Sequence, residues 1–251
     1  MLLSSTRRGA TLTLRVSLLT VGLAAATAVL AADAVPPGSS DDDRLVFGIN
    51  KKLQKDIVDR AFPRMAVKWP FNRVFVCWEE NDPGFERQRR LVRKAVRESW
   101  EAHSGLIFGT DEETQSWGFC QPGFGGVRIH VSDEGPHTKA LGNELEGVPE
   151  GMVLNFTYQN WSPTCQTQAD FCTRAIAVHE FGHAIGFAHE QNRPDTPGEC
   201  AQPAQGPDGD LMLTPWDPRS VMNYCNEKYN NDGELSPFDI TAVQYMYGAP
   251  K

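Results

Sequence analysis

His179 and His183 stand four residues apart, with Glu180 beside the first, in the run His179-Glu180-Phe181-Gly182-His183-Ala184-Ile185-Gly186-Phe187-Ala188-His189. Residues four apart on a helix share one face. Two imidazoles so placed can both reach one metal ion at about 2.0–2.1 Å. Glu180 is turned away from the pair, so it can approach a water near the metal without becoming a ligand. Gly186 can take the left-handed conformation that ends a helix. The chain then turns sharply and brings His189 back as a third ligand. Three protein ligands with a fourth position open is the arrangement of zinc hydrolases. His-Glu-x-x-His alone also arises by chance, in structural zinc sites and in surface pairs. The glycine and the third histidine at this spacing set the run apart. His103, His130 and His137 have no comparable spacing and read as surface or strand residues.

Such a pair needs a helix beneath it. The sequence predicts one over 171–186, where Ala175, Ile176, Val178, Phe181, Ala184 and Ile185 surround a polar stripe. A second is predicted over 83–104, with Leu91, Val92, Ala95, Val96 and Trp100 on one face. Arg87, Arg89, Arg90, Arg93, Lys94 and Arg97 fall on the rest of that helix and read as a solvated face. A third helix, over 237–247, opens at Ser236 as its N-cap. Residues 74–76, 106–108, 127–131 and 152–156 are strand candidates. A loop rich in Pro, Gly, Asp and Gln runs over 191–216. Helices and strands intermix without internal repeats, which points to one α+β or α/β domain.

The termini and the cysteines bound the setting. Arg7, Arg8 and Arg15 precede an apolar run over 16–30, and small residues follow. This reads as a secretory signal peptide over 1–31. At 15 residues the run is short for a membrane span. Residues 32–45 are rich in Pro, Ser and Asp, as in a linker or the start of a pro-segment. The six cysteines form no C-x-x-C pair, and an even count behind a signal peptide reads as disulfides. Proximity suggests Cys77–Cys120, Cys165–Cys172 and Cys200–Cys225. The net charge is −8, and without residues 1–31, which hold three arginines and no acid, it is −11. That balance argues against nucleic acid as a partner. Asn155-Phe156-Thr157 and Asn160-Trp161-Ser162 are glycosylation sequons.

The full histidine run resembles the metzincin clan of zinc endopeptidases. Its continuation through Glu190, Gln191, Arg193, Pro194 and Asp195 completes HEFGHAIGFAHEQNRPD, which is similar to the astacin family signature. Ser220-Val221-Met222-Asn223-Tyr224 fits the methionine turn of that clan, and 235–248 looks like the end of its catalytic domain. The likeness is strong over 173–248 and weaker before it. The chain departs from the family in its cysteine pattern, in having Asn223 where His is commoner, and in lacking a Phe-x-Gly-Asp pro-segment motif. No EGF- or CUB-like module is expected after the domain.

The resemblance implies an α+β fold. It would be a single metzincin-like catalytic domain with a twisted mixed sheet, an active-site helix and a mostly irregular C-terminal half closed by a helix. The layout is then a signal peptide over 1–31, a linker or pro-segment over 32–66 and a zinc metallopeptidase domain over 67–250. One zinc ion would be held by His179, His183 and His189, with Tyr224 as an extra ligand that can move to stabilise the oxyanion. Glu180 would be the general base that takes a proton from zinc-activated water. Gly186 and Met222 would support the site, and Glu190 would interact with the buried mature N-terminus. The expected activity is hydrolysis of internal bonds in a protein or peptide substrate laid against 151–156. The protein would be a secreted, extracellular monomer (periplasmic in a bacterium), with no nucleic-acid partner and no membrane association after signal removal. Two other readings are a non-catalytic zinc-binding interaction module and a zinc hydrolase of a non-peptide amide. The intact Glu180 argues against the module.

Overall fold

The computed structural model describes residues 62–109 and 117–251. The predicted signal peptide and most of the 32–66 segment lie outside the described residues. Those of that segment that are described, 62–66, pack onto the domain. Phe62 is buried beside Ala188, Pro63 bridges to Phe187, and Arg64 N donates to Gly186 O at 2.8 Å.

The elements in chain order are β1 (Arg73–Val74), β2 (Val76–Trp78), α1 (Glu86–Val96), β3 (Ile107–Phe108), β4 (Val127–Val131), β5 (His137–Thr138), β6 (Met152–Leu154), α2 (Pro163–Thr167), α3 (Ala169–Ala184) and α4 (Pro237–Tyr247). β4 runs parallel to β2 and to β6, and β5 pairs antiparallel with β6, so the sheet order is β2-β4-β6-β5. β1 and β3 form a separate parallel pair. β2 and β6 are wholly buried apolar triplets, as parallel strands covered on both faces require. β4 alternates, with Val127 and Ile129 inward and Arg128 and His130 half exposed. The fold is α+β with a small mixed sheet, and the chain beyond α3 is largely irregular until α4 closes it.

α3 is central. From Cys172 to its end every residue but Arg174 is buried, the mark of a helix packed on all sides. Phe181 stacks on Trp117 (5.2 Å between ring centroids) and meets Phe108 edge-on (5.1 Å). Trp100 Nε1 donates to Val178 O at 2.8 Å. Rings locked in this way hold the helix in register, and truncating one such ring costs ~3–5 kcal/mol.

α1 packs along α3. Its basic face is not wholly solvated, contrary to the reading from periodicity. Arg89 and Arg93 are buried; Arg93 pairs with Glu101 at 2.9 Å and lies over the Trp117 ring. Glu101 reaches it because α1 runs on into a π-helical turn, Arg97–Glu101. Asn155 is likewise occupied. It is buried, its Oδ1 accepts from Thr157 N and Tyr158 N, and its Nδ2 donates to Asp133 Oδ1 and Glu134 O. Its sequon is therefore a turn organiser, while Asn160 is exposed.

All three cysteine pairs form as sequence proximity suggested: Cys77–Cys120, Cys165–Cys172 and Cys200–Cys225. Ser236 caps α4, and Asp239 completes the capping box by accepting from Ser236 N at 2.9 Å. The same carboxylate accepts from Ser220 Oγ (2.7 Å) and Val221 N (3.0 Å), so the start of α4 also fastens the turn that carries Met222.

Burial pushes the Asp239 carboxyl from 3.8 up to about 6, against the three donors that favour its anion. Its folded value lies above its unfolded one. The stability it contributes is therefore present below about pH 4 and lost as pH rises through about 6, about 3 kcal/mol in all. Asp239→Asn cannot titrate, so its unfolding free energy is expected to fall less between about pH 4 and pH 7 than that of the wild type. Chemical denaturation of metal-free protein at the two pH values checks this, and equal slopes would contradict it.

Candidate metal centre

The three histidines converge. His179 and His183 project from α3, with ring centroids 4.7 Å apart. α3 ends at Ala184, and Gly186 at φ +102° reverses the chain. A side chain would be strained in that conformation. The reversal returns His189, whose Nε2 lies 3.2 Å from that of His179 and 3.1 Å from that of His183. All three rings are buried.

Their protonation follows from their other nitrogens. His179 Nδ1 lies 2.7 Å from Val221 O, His183 Nδ1 2.8 Å from Phe187 O, and His189 Nδ1 2.8 Å from Gln205 O. A carbonyl only accepts, so each Nδ1 carries the hydrogen and each Nε2 presents a lone pair. The His189 lone pair meets those of the other two at 3.1 and 3.2 Å with no proton between them, an arrangement that needs a cation. A tetrahedral ion with nitrogens at ~2.0–2.1 Å sets its ligands roughly 3.3 Å apart. The donor set therefore fits a metal ion. Burial, with the neighbouring imidazole, pushes His179 down to about 3; burial also drives His183 well below its ordinary value and lowers His189. All three are neutral near pH 7, as ligands must be.

Glu180 follows His179 and is 3% exposed. Its Oε2 is buried with no hydrogen-bond partner among the described residues, so it is free to take a proton. Burial raises its carboxyl to about 8, so this group holds a proton more readily than an ordinary carboxylate.

Met222 packs against α3 at Gly182, the residue before the second ligand. A Cβ on Gly182 would collide with Met222 Sδ and press on Trp100, so glycine between the two ligands lets the turn approach. The Tyr224 ring stacks on His179 (5.2 Å, 17°) and packs against His189 (4.5 Å). Desolvation, then the Glu180 charge, holds its phenol above the usual range, so it stays a protonated donor. Its backbone N donates to Gln191 Oε1 at 3.1 Å. Glu190 is buried; it accepts from Asp217 N at 2.9 Å and pairs with Arg193 at 3.1 Å.

Glu180, His183, His189 and Tyr224 open onto a cleft of about 270 Å³. One wall is Pro136, His137, Thr138 and Leu141; the other is Gln205, Gly206 and Pro207. Sequence reasoning missed both walls and assigned His137 no place in the site. It also expected substrate along 151–156. β6 occupies half of that stretch and is paired on both sides, by β4 and β5. The sheet edge at the cleft is β5 instead.

Against known proteins, the pattern of the Astacin peptidase family matches residues 165–198, the stretch that carries α3 and all three histidines. The chain is 24% identical over 221 residues to "Astacin-like metalloprotease toxin 1" of Loxosceles intermedia, a span that takes in 84% of this chain and 68% of that protein. Among solved structures it is similar to myroilysin, with a TM-score of 0.50 at 18% identity over 76% of this chain and 100% of that one. This likeness concerns the fold.

Proposed function

For this astacin-like metalloendopeptidase, we propose that one zinc ion is held by His179, His183 and His189 and that Glu180 is the general base for hydrolysis of internal peptide bonds. The observation that carries the proposal is the convergence of three unprotonated Nε2 atoms beside a buried carboxylate with one unpartnered oxygen. A binding module would gain nothing from burying that carboxylate.

When bound, zinc supplies a Lewis acid that makes water acidic and draws charge from a carbonyl oxygen. Glu180 takes the proton of the attacking water and delivers it to the departing amide nitrogen. Tyr224 stays protonated near neutral pH and donates to the oxygen that becomes negative in the tetrahedral adduct. Its ring, stacked on His179 and packed against His189, sets the direction of that phenol. The substrate lies extended along β5, whose outer edge, unpaired among the described residues, offers backbone hydrogen bonds with little demand on sequence. Glu190 and Met222 support the site from beneath, and Gly186 lets the third ligand return.

The three disulfides and the N-terminal pattern over 1–31 support a secreted, extracellular protein. No helix among the described residues is long and apolar enough to cross a membrane. The acidic charge supports a protein or peptide partner over nucleic acid, and we read the chain as a monomer.

Digestion of an unfolded protein, with the fragments identified by mass spectrometry, tests the proposal. Cuts at internal bonds support it; zinc-loaded protein that cleaves only non-peptide amides overturns it. Tyr224→Phe keeps the ring stack and removes the donor. Its kcat is expected to fall by ~10²-fold or more with KM little changed. Equal kcat values in steady-state assays would remove Tyr224 from the mechanism.

A further inference from the structure

Two of the three ligands lean on well-packed backbone. His179 donates to Val221 O, in the turn fastened by Asp239, and His183 donates to Phe187 O beside the buried end of α3. His189 differs. Its carbonyl partner belongs to Gln205, in a loop where residues 201–208 are all exposed. The Cys200–Cys225 bridge fastens the start of that loop but not Gln205 itself.

Gln205 is held by a side chain. Asn192 Nδ2 donates to Gln205 O at 2.9 Å, and Asn192 Oδ1 accepts from Gln205 N at 3.0 Å. These two bonds clamp one residue's backbone at both its donor and its acceptor. Asn192 also donates to Asp208 Oδ1 at 3.2 Å, a second tie to the same loop. Its own backbone is tethered to the ligand, since Asn192 N donates to His189 O at 3.1 Å. Ligand, asparagine and carbonyl thus close a short hydrogen-bonded ring.

We propose that Asn192 is a positioning residue for the third metal ligand. It fixes the carbonyl that holds the orientation and tautomer of His189. The inference rests on the reading of the three histidines as a zinc site. Asn192 touches neither substrate nor metal; it acts through Gln205 O. Outer partners of metal-bound histidines typically contribute 10–100-fold in metal affinity. An effect of that size is expected here, because Asn192 is the side chain that grips Gln205 at both ends of its backbone.

The test is a competitive zinc titration of metal-free protein against a chromophoric chelator, with visible spectra of the cobalt(II)-substituted forms. Asn192→Ala is expected to weaken zinc binding by ~10–100-fold and to change the cobalt spectrum. Gln202→Ala, an exposed change in the same loop, is expected to leave both unaltered. If Asn192→Ala lowers the melting temperature of the metal-free protein, Asn192→Asp decides. It keeps the shape and the acceptor but removes the donor to Gln205 O, so it is expected to weaken zinc binding while folding normally. Wild-type affinity and spectrum in the folded Asn192 variants would overturn the proposal. A wild type that binds no zinc, or a His189→Ala variant with full affinity, would instead overturn the zinc reading beneath it.

Discussion

Glu180→Gln is expected to keep zinc bound and to lose ~10²–10⁴-fold in turnover. The two side chains have the same shape, so the buried space beside His179 stays filled. The amide has no basic oxygen to receive a proton, and that is the property Glu180 supplies. Oε2 has no partner among the described residues, so the substitution breaks no bond made by that atom. The three Nε2 donors are untouched, and zinc affinity should therefore stay near that of the wild type. A casein assay beside a zinc titration separates the two effects. Wild-type turnover in the variant would assign the base elsewhere. Lost zinc affinity would show that Glu180 acts on the metal site rather than on the proton.

Removing the metal should have the second large effect. A chelator is expected to abolish cleavage, and added zinc to restore it. Stability should follow. The buried lone pair of His189, 3.1 and 3.2 Å from those of the other two ligands, is repelled by them when no cation lies between. Zinc at a thousand times its dissociation constant stabilises the folded state by about 4 kcal/mol. In a domain of this size that corresponds to ~8–16 °C in melting temperature. Calorimetry before and after chelation measures the shift. Cleavage that survives complete removal of zinc would exclude a metal from the reaction.

The histidine site was legible because its rules are local. Helical spacing places His179 beside His183, and a glycine at 186 permits the reversal that returns His189. α4 was equally legible from Ser236 and the apolar positions behind it. Other parts were not. β5 is two residues long and follows a proline, too short for any alternation to register. It becomes a strand only because β6 lies beside it, and that pairing displaced the substrate edge from 151–156. Arg93 looked solvated because arginine on a polar stripe usually is. Its burial depends on Glu101, which a π-helical turn brings within reach, and periodicity at helical spacing does not anticipate such a turn. The wall at Gln205–Pro207 lies in a loop without period, and its bond to His189 uses only backbone.

That last point extends to all three ligands. Each imidazole is steered by a peptide carbonyl and, among the described residues, none by a carboxylate side chain. A carbonyl is present whatever residue occupies the position. In a saturation mutagenesis scan, the ligands would therefore stand out sharply, while a position such as 205 would tolerate most side chains as far as its carbonyl is concerned. What orients the three imidazole rings would leave little trace in such a scan. It would surface only through changes that move the main chain, such as proline insertion, loop shortening or loss of the side chain that grips it.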